Sequence, residues 1–230
     1  MILYPELQHF TLADVYASTF DLVMLRHLAA HVQEALRWPL APGALPFLAQ
    51  TRDEYGYAHR IVLYQNRDTF ERGPLFFVGF LGKKRLDPEA AVVEALTEVD
   101  KTLIMELAKA PDILSYSSVE LHDGNWCNLV VFRKQEAKET VTQHQMHMLA
   151  AHQLAPQYYE WIRLHRGILL EGFTPGQLVI VSTKFYLFGD EGREAAMRSG
   201  SLTRTYTYMN AQARIYEYSY PRPEHVVVEL

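Results

Sequence analysis

The chain has 230 residues, a formal net charge of -5, 49% hydrophobic residues and 21% charged residues. That length suits one large domain or two small ones with a proper core, and the composition is ordinary for a soluble globular protein. The acidic balance, without a basic block or stripe, argues against nucleic-acid binding, no apolar run is long enough to span a membrane, and the single Cys127 excludes an internal disulfide framework and any multi-cysteine metal site. The opening MILYPELQHF lacks a basic segment followed by an apolar run, so no signal peptide is expected and the expected location is cytoplasmic.

Residues 11–37 read as a helix, because Leu22, Leu25, Ala29, Val32 and Leu36 recur at helical spacing and Trp38-Pro39 stops it. The proline-rich stretch 39–47 is a connector, and 58–65 reads as a strand. From Pro74 a regular alternation begins. LFFVGFLGK (75–83) is a buried strand by its continuous apolar run. Asp87-Pro88 opens a helix whose Val92, Leu96, Val99, Leu103, Leu107 and Ala110 share one stripe. Segments 113–121 and 125–132 flank HDG and read as a hairpin. A second long helix is expected from about Lys134 to Ala155, ended by Pro156. Strands follow at 158–170 and 178–188, the latter extending the sheet or pairing with 58–65. The tail 202–209 and 213–220, in which Tyr206, Tyr208, Tyr216, Tyr218 and Tyr220 alternate, reads as a further hairpin joined by NAQ.

From 75 to 170 this order is β-α-β-β-α-β, the split βαβ plan with two helices on one face of a four-stranded antiparallel sheet. The predicted class is α+β, ferredoxin-like. The organisation divides as 1–47, an N-terminal helical segment and connector; 48–190, the ferredoxin-like domain; and 191–230, a tyrosine-rich hairpin extension. With its helix, Pro156, Tyr158-Tyr159 and a strand ending in Arg-Leu-His-Arg-Gly (163–167), the chain resembles the dimeric α/β-barrel superfamily over about residues 74–190. That group includes antibiotic-biosynthesis monooxygenase-like proteins, haem-degrading monooxygenases and chlorite dismutase relatives. The resemblance implies a homodimer whose two sheets form a barrel, and a ligand between sheet and helices. It leaves the cofactor open, with haem the one implied.

The residues with chemistry lie mainly between Trp126 and Leu170. On the second helix His144 falls inside an alanine-rich apolar stripe with Ala137, Val141, Met148, Ala151 and Ala155, and His147 and His152 flank it. A histidine there is either a buried, hydrogen-bonded imidazole or a proton acceptor or axial ligand facing a cavity. The three lack a neighbouring carboxylate and make a poor metal site, so no metal is expected. Along 159–169, Trp161, Arg163, His165 and Gly167 share one face and Ile162, Leu164, Arg166 and Ile168 the other. Arg163 and His165 either point away from the helices, toward the barrel interior or dimer interface, or approach His144 and orient an anionic substrate group. A cross-strand ion pair, for example of Arg163 with Glu120, is the structural alternative. The expected catalytic set is His144, Arg163 and His165, and the expected cofactor-binding set is His144, His147 and Trp126. Cys127 reads as a buried thiol. No glycine-rich phosphate loop, GxSxG elbow, HExxH or CxxC occurs. The expected function is small-molecule binding, of a monooxygenase-like or haem-handling kind. An interaction scaffold with a filled barrel is the alternative.

Overall fold

The structure is a computed structural model that describes residues 12–41, 43–52, 56–71, 73–122, 124–137, 145–188 and 204–209. In chain order it contains α1 (Leu12–Ala35), β1 (Phe47–Arg52), β2 (Ala58–Leu63), a one-turn α2 (Arg67–Phe70), β3 (Leu75–Lys84), α3 (Ala90–Leu107), β4 (Ile113–Glu120) and β5 (Trp126–Phe132). Then come α4 (Gln145–Leu149), a π turn (Ala150–Leu154), α5 (Ala155–Tyr158), β6 (Tyr159–Leu169), a 3-10 turn (Pro175–Gln177), β7 (Leu178–Leu187) and β8 (Arg204–Met209). The architecture is α+β. Among the described residues eight strands form one sheet in the order β1-β2-β4-β5-β3-β6-β7-β8, and every neighbouring pair is antiparallel.

Alternation along the central strands sends side chains to two different cores. Leu75, Phe77 and Leu81 of β3 join Ile61, Leu63, Leu129 and Val131 on one face. Phe76 and Val78 join Val62, Tyr64, Tyr116 and Val130 on the other. Helix α3 covers the second face with Leu103 and Leu107, and the helical stretch 145–158 lies beside it. The first face is covered by α1, the helix assigned from sequence to a separate N-terminal segment. Its Leu22, Leu25, Leu28, Ala29, Val32 and Ala35 have at most 1% of their surface exposed, and all belong to the core of the sheet. Close approach is possible because β3 carries Gly79 at the crossing, where a Cβ would lie 2.6 Å from Leu25 Cδ2. Arg26 fastens the helix at its side, donating from Nη2 to the carbonyls of Gly176 at 2.9 Å and Leu178 at 3.3 Å.

The structure departs from the sequence reading in several places. Of the two placements open for 178–188, the first holds: β7 extends the sheet through β6, and β2 sits beyond β4 on the opposite side, so 178–188 and 58–65 do not pair. β1 was not anticipated. Its residues are mostly exposed, as befits an edge strand whose apolar pattern is weak. β8 pairs with β7 through Phe185 opposite Tyr206 and Thr183 opposite Tyr208. The second arm of the expected hairpin, 213–220, lies outside the described residues, as does His144. The expected uniform helix to Ala155 is interrupted by the π turn, in which the Ala155 N–H bonds to the Ala150 carbonyl five residues back. The wider turn breaks the constant step of an α-helix. Met148, placed by that step in the buried stripe, is 45% exposed, while Ala137 and Ala155 are buried.

If α1 is part of the core, Leu25→Ala should cost about 2–5 kcal/mol in chemical denaturation. A loss under about 1 kcal/mol, typical of a surface change, would place α1 outside the cooperative fold.

Candidate functional site

Asp21 of α1 points into the sheet and has no exposed surface. A carboxylate in that position needs donors on every side. Arg163 of β6 supplies two, Nε to Oδ2 and Nη2 to Oδ1, the latter at 2.7 Å. His165, two residues on and on the same face, brings Nε2 to 2.9 Å from Asp21 Oδ2. Because the carboxylate only accepts, that nitrogen carries the proton. The other nitrogen, Nδ1, lies 2.8 Å from the Thr183 hydroxyl of β7. The guanidinium of Arg163 also rests on the Trp161 ring, 4.2 Å from its centroid, a cation–π contact.

Thr183, His165 and Asp21 stand in the order hydroxyl, imidazole, carboxylate, the order of a nucleophilic triad. Their burial argues for a structural role: Thr183 is 2% exposed and His165 and Asp21 are fully buried. His165, expected to orient a substrate, reaches neither of the cavities described below. Only Arg163 does. Its carboxylate partner is Asp21, not the Glu120 considered from sequence. Ile162, on the opposite face of β6, packs with Ala155, so Arg163 and His165 point away from the helical stretch 145–158. The group that meets them is α1.

Among the described residues, one cavity lies on each face of the sheet. The first, of about 540 Å³, lies between α1, the β4–β5 hairpin and β6. Its walls are chiefly apolar, with Phe20, Met24, Leu81, Val119, Leu121 and Trp161; Arg163, His27 and His122 are its basic members and Glu120 its one acidic member. The second, of about 530 Å³, lies on the other face under α3 and the π turn. Trp126 and Ala150 line it, together with Arg60, Asp100 and Tyr116. The expected single site is thereby divided. Trp126 is in one cavity and Arg163 in the other, with the sheet between them, because the two side chains leave the sheet on opposite faces. His147 is half-buried on α4 and His152 is exposed in the π turn; neither lines either of these two cavities.

The second cavity has its own ionic network. Arg60 donates from Nη1 to Asp100 Oδ2 at 2.6 Å and from Nη2 to Asp100 Oδ1 at 3.1 Å and to the Tyr116 hydroxyl at 3.1 Å. Burial works against the Arg60 charge, but Tyr116 and Asp100 outweigh it and hold the guanidinium above its ordinary value. Burial and the Asp100 carboxylate push the Tyr116 phenol up to about 12, against the opposing effect of Arg60. Burial likewise raises Tyr158 and Tyr159. A haem in this cavity would need an axial His, Cys, Met or anionic Tyr. The described lining residues supply only phenols held neutral, so they do not fit that group. Cys127 is fully buried, and burial raises its thiol well above the ordinary range.

One cluster was missed from sequence. His27 and His31 stand four apart on α1, and His59 of β2 faces them; one ring nitrogen from each lies within 4.8 Å of the others. The signal was present as two histidines in HLAAH on a helix. It was passed over because the second element of the site lies 28 residues further on, in a strand.

No protein-family model matches the chain, and no curated protein matches it. Among solved structures, the protein SO0527 from Shewanella oneidensis aligns with 42% of this chain and 94% of its own, at 13% identity and a TM-score of 0.34. A likeness of that size carries no argument about fold or activity.

Removing the carboxylate should strand the Arg163 charge. Asp21→Ala is expected to lose about 3 kcal/mol in urea denaturation, the lower end of the range for breaking a buried pair, because the Arg163 side chain keeps 16% exposure. The double variant Asp21→Ala/Arg163→Met should recover part of that loss; no recovery would mean the charge pair is not what holds α1. Tyr116 gives a pH signature. Below pH 10.0, its ordinary value, folded and unfolded phenols are both protonated and its contribution is fully present. From there to about 12 only the unfolded phenol ionises, so stability falls as pH rises. Over that window the urea midpoint should fall less steeply in Tyr116→Phe than in the wild type; equal slopes would contradict the assignment.

Proposed function

We propose that the protein binds a small molecule in the cavity between α1 and the sheet. The carrying observation is that cavity itself: about 540 Å³ bounded chiefly by apolar side chains, with a few polar groups at its wall, among them the Arg163 guanidinium, the Glu120 carboxylate and the imidazoles of His27 and His122. Ligand sites are commonly of this size and character, predominantly apolar with a few placed polar groups. Arg163 is already oriented by Asp21 and Trp161, so it meets a ligand without reorganisation. A scaffold with a filled interior is less well supported, since space remains on both faces of the sheet.

The order β4-β5-β3-β6, with helices between β3 and β4 and between β5 and β6, supports the ferredoxin-like reading of residues 75–169. In a barrel shared by two chains, the bare sheet faces would meet each other. Here α1 occupies that face, which favours a chamber closed within one chain over one completed by a homodimer. No described helix is long and apolar enough to cross a membrane. A cytoplasmic location fits the single thiol, held buried. The monooxygenase-like part of the reading depends on His144, outside the described residues; binding does not.

An apolar fluorescent probe such as anilinonaphthalene sulfonate should bind saturably to the folded protein and brighten. Met24→Trp, which puts a bulky ring into the chamber, should weaken that binding at least about tenfold, a change of about 1.4 kcal/mol. Tyr116→Phe, on the other face, should leave it unchanged. The reverse pattern would move the site to the cavity under α3.

A further inference from the structure

We infer that His27, His31 and His59 form a binding site for one divalent transition-metal ion of the zinc class, set at the rim of the α1 chamber. The Nε2 atoms of His27 and His31 lie 3.2 Å apart. Two nitrogens bound to one zinc at roughly 2.0–2.1 Å with a tetrahedral angle stand roughly 3.3–3.4 Å from each other, so the pair is spaced as co-ligands. The spacing follows from the helix, where positions i and i+4 lie on one face, as in helical zinc motifs. His59 approaches from β2, its ring centroid 5.3 Å from that of His27 and 4.7 Å from that of His31. The three nitrogens fall within 4.8 Å of one another. An inward movement of about 1 Å would close them on an ion at these bond lengths.

The ligand set is chemically specific. Three imidazoles suit zinc, copper, iron and nickel, and disfavour magnesium and calcium, which prefer oxygen. Three protein ligands also leave a coordination position open, which is the pattern of catalytic rather than structural zinc. His27 is itself a lining residue of the chamber, so that position is reached from the chamber. Because neutral imidazoles leave the ion's charge uncompensated, the open position draws an anionic oxygen. This part rests on the binding reading above and sharpens it: the ligand class is an apolar body bearing a carboxylate or similar oxyanion, its head toward the metal. HLAAH lacks the glutamate of HExxH, so α1 does not carry the general base of that motif.

The test uses the full chain stripped with a chelator and titrated with Co²⁺, whose visible spectrum reports coordination, with Zn²⁺ as competitor. One equivalent should bind, with absorption bands of a nitrogen-ligated ion that Zn²⁺ abolishes. His27→Ala and His31→Ala, which remove the two less buried ligands, should each weaken binding by at least the roughly 10–100-fold that loss of even an outer-sphere partner costs. His152→Ala, an exposed histidine of the π turn, should bind as wild type. Circular dichroism confirms that the variants fold. Absence of saturable uptake at one equivalent, or equal affinity in the His27 and His31 variants, overturns the inference and leaves a proton-sharing histidine pair. The two readings separate cleanly: an apolar probe that still binds a chain unable to take up Co²⁺ removes the metal site alone.

Discussion

A fully buried carboxylate on a surface-covering helix is costly, since taking an ion out of water costs several kcal/mol unless its partners are in place. Asp21 carries that cost, and Arg163 and His165 offset it only when α1 lies over β6 in one register and one rotation. Leucines alone would let the helix slide along an apolar face with little penalty. The charge cluster fixes the position, and Arg26, bonded to the carbonyls that open β7, fixes the far side. Once Asp21 is placed, helical geometry places the rest: Phe20 and Met24 at the chamber wall, His27 at its rim, and His31 a turn further on, over β2.

The two faces of the sheet are covered by helices that use the same kind of contact. On the α1 face an acidic residue of the helix meets basic residues of β6. On the α3 face Asp100 of the helix meets Arg60 of β2, with the Tyr116 hydroxyl completing the set. Each helix thus brings one carboxylate to one strand arginine, a device that sets orientation more than it adds stability. The consequences differ. Both arginines keep a little surface, 19% for Arg60 and 16% for Arg163. Arg60 is bonded to a carboxylate and a phenol in the more polar cavity under α3, whereas Arg163 stacks on Trp161 at the wall of the more apolar chamber under α1.

Long apolar runs made the centre of the fold legible. LFFVGFLGK is β3 because buried strands read as continuous apolar segments, and the stripe Val92, Val99, Leu107 marks the inner side of α3. The function of α1 was not legible. Its periodicity announced a helix, but nothing local says that Asp21 would find partners more than 140 residues away. The same distance hid the histidine cluster, for which a helix pair was visible and a strand partner was not. Helical-wheel reasoning failed at Met148 because it assumes a constant step, and the π turn has a different one. Strand alternation did better: Trp161, Arg163 and His165 do share a face, and the open question of which face resolved toward an element that had not been counted as part of the domain.

The most direct test of a ligand chamber under α1 is methyl NMR on the full chain during titration with small aromatic carboxylates. The chain has 7 methionines, and three of them sit in informative places: Met24 at the chamber wall, Met105 on the exposed side of α3 and Met148 on α4. Binding in the chamber shifts the Met24 methyl together with those of Leu81, Val119 and Leu121, saturates, and leaves Met105 and Met148 where they were. Shifts confined to Met105 or Met148, or none at any concentration short of unfolding, would contradict the account and leave the chamber as a packing gap between a helix and its sheet.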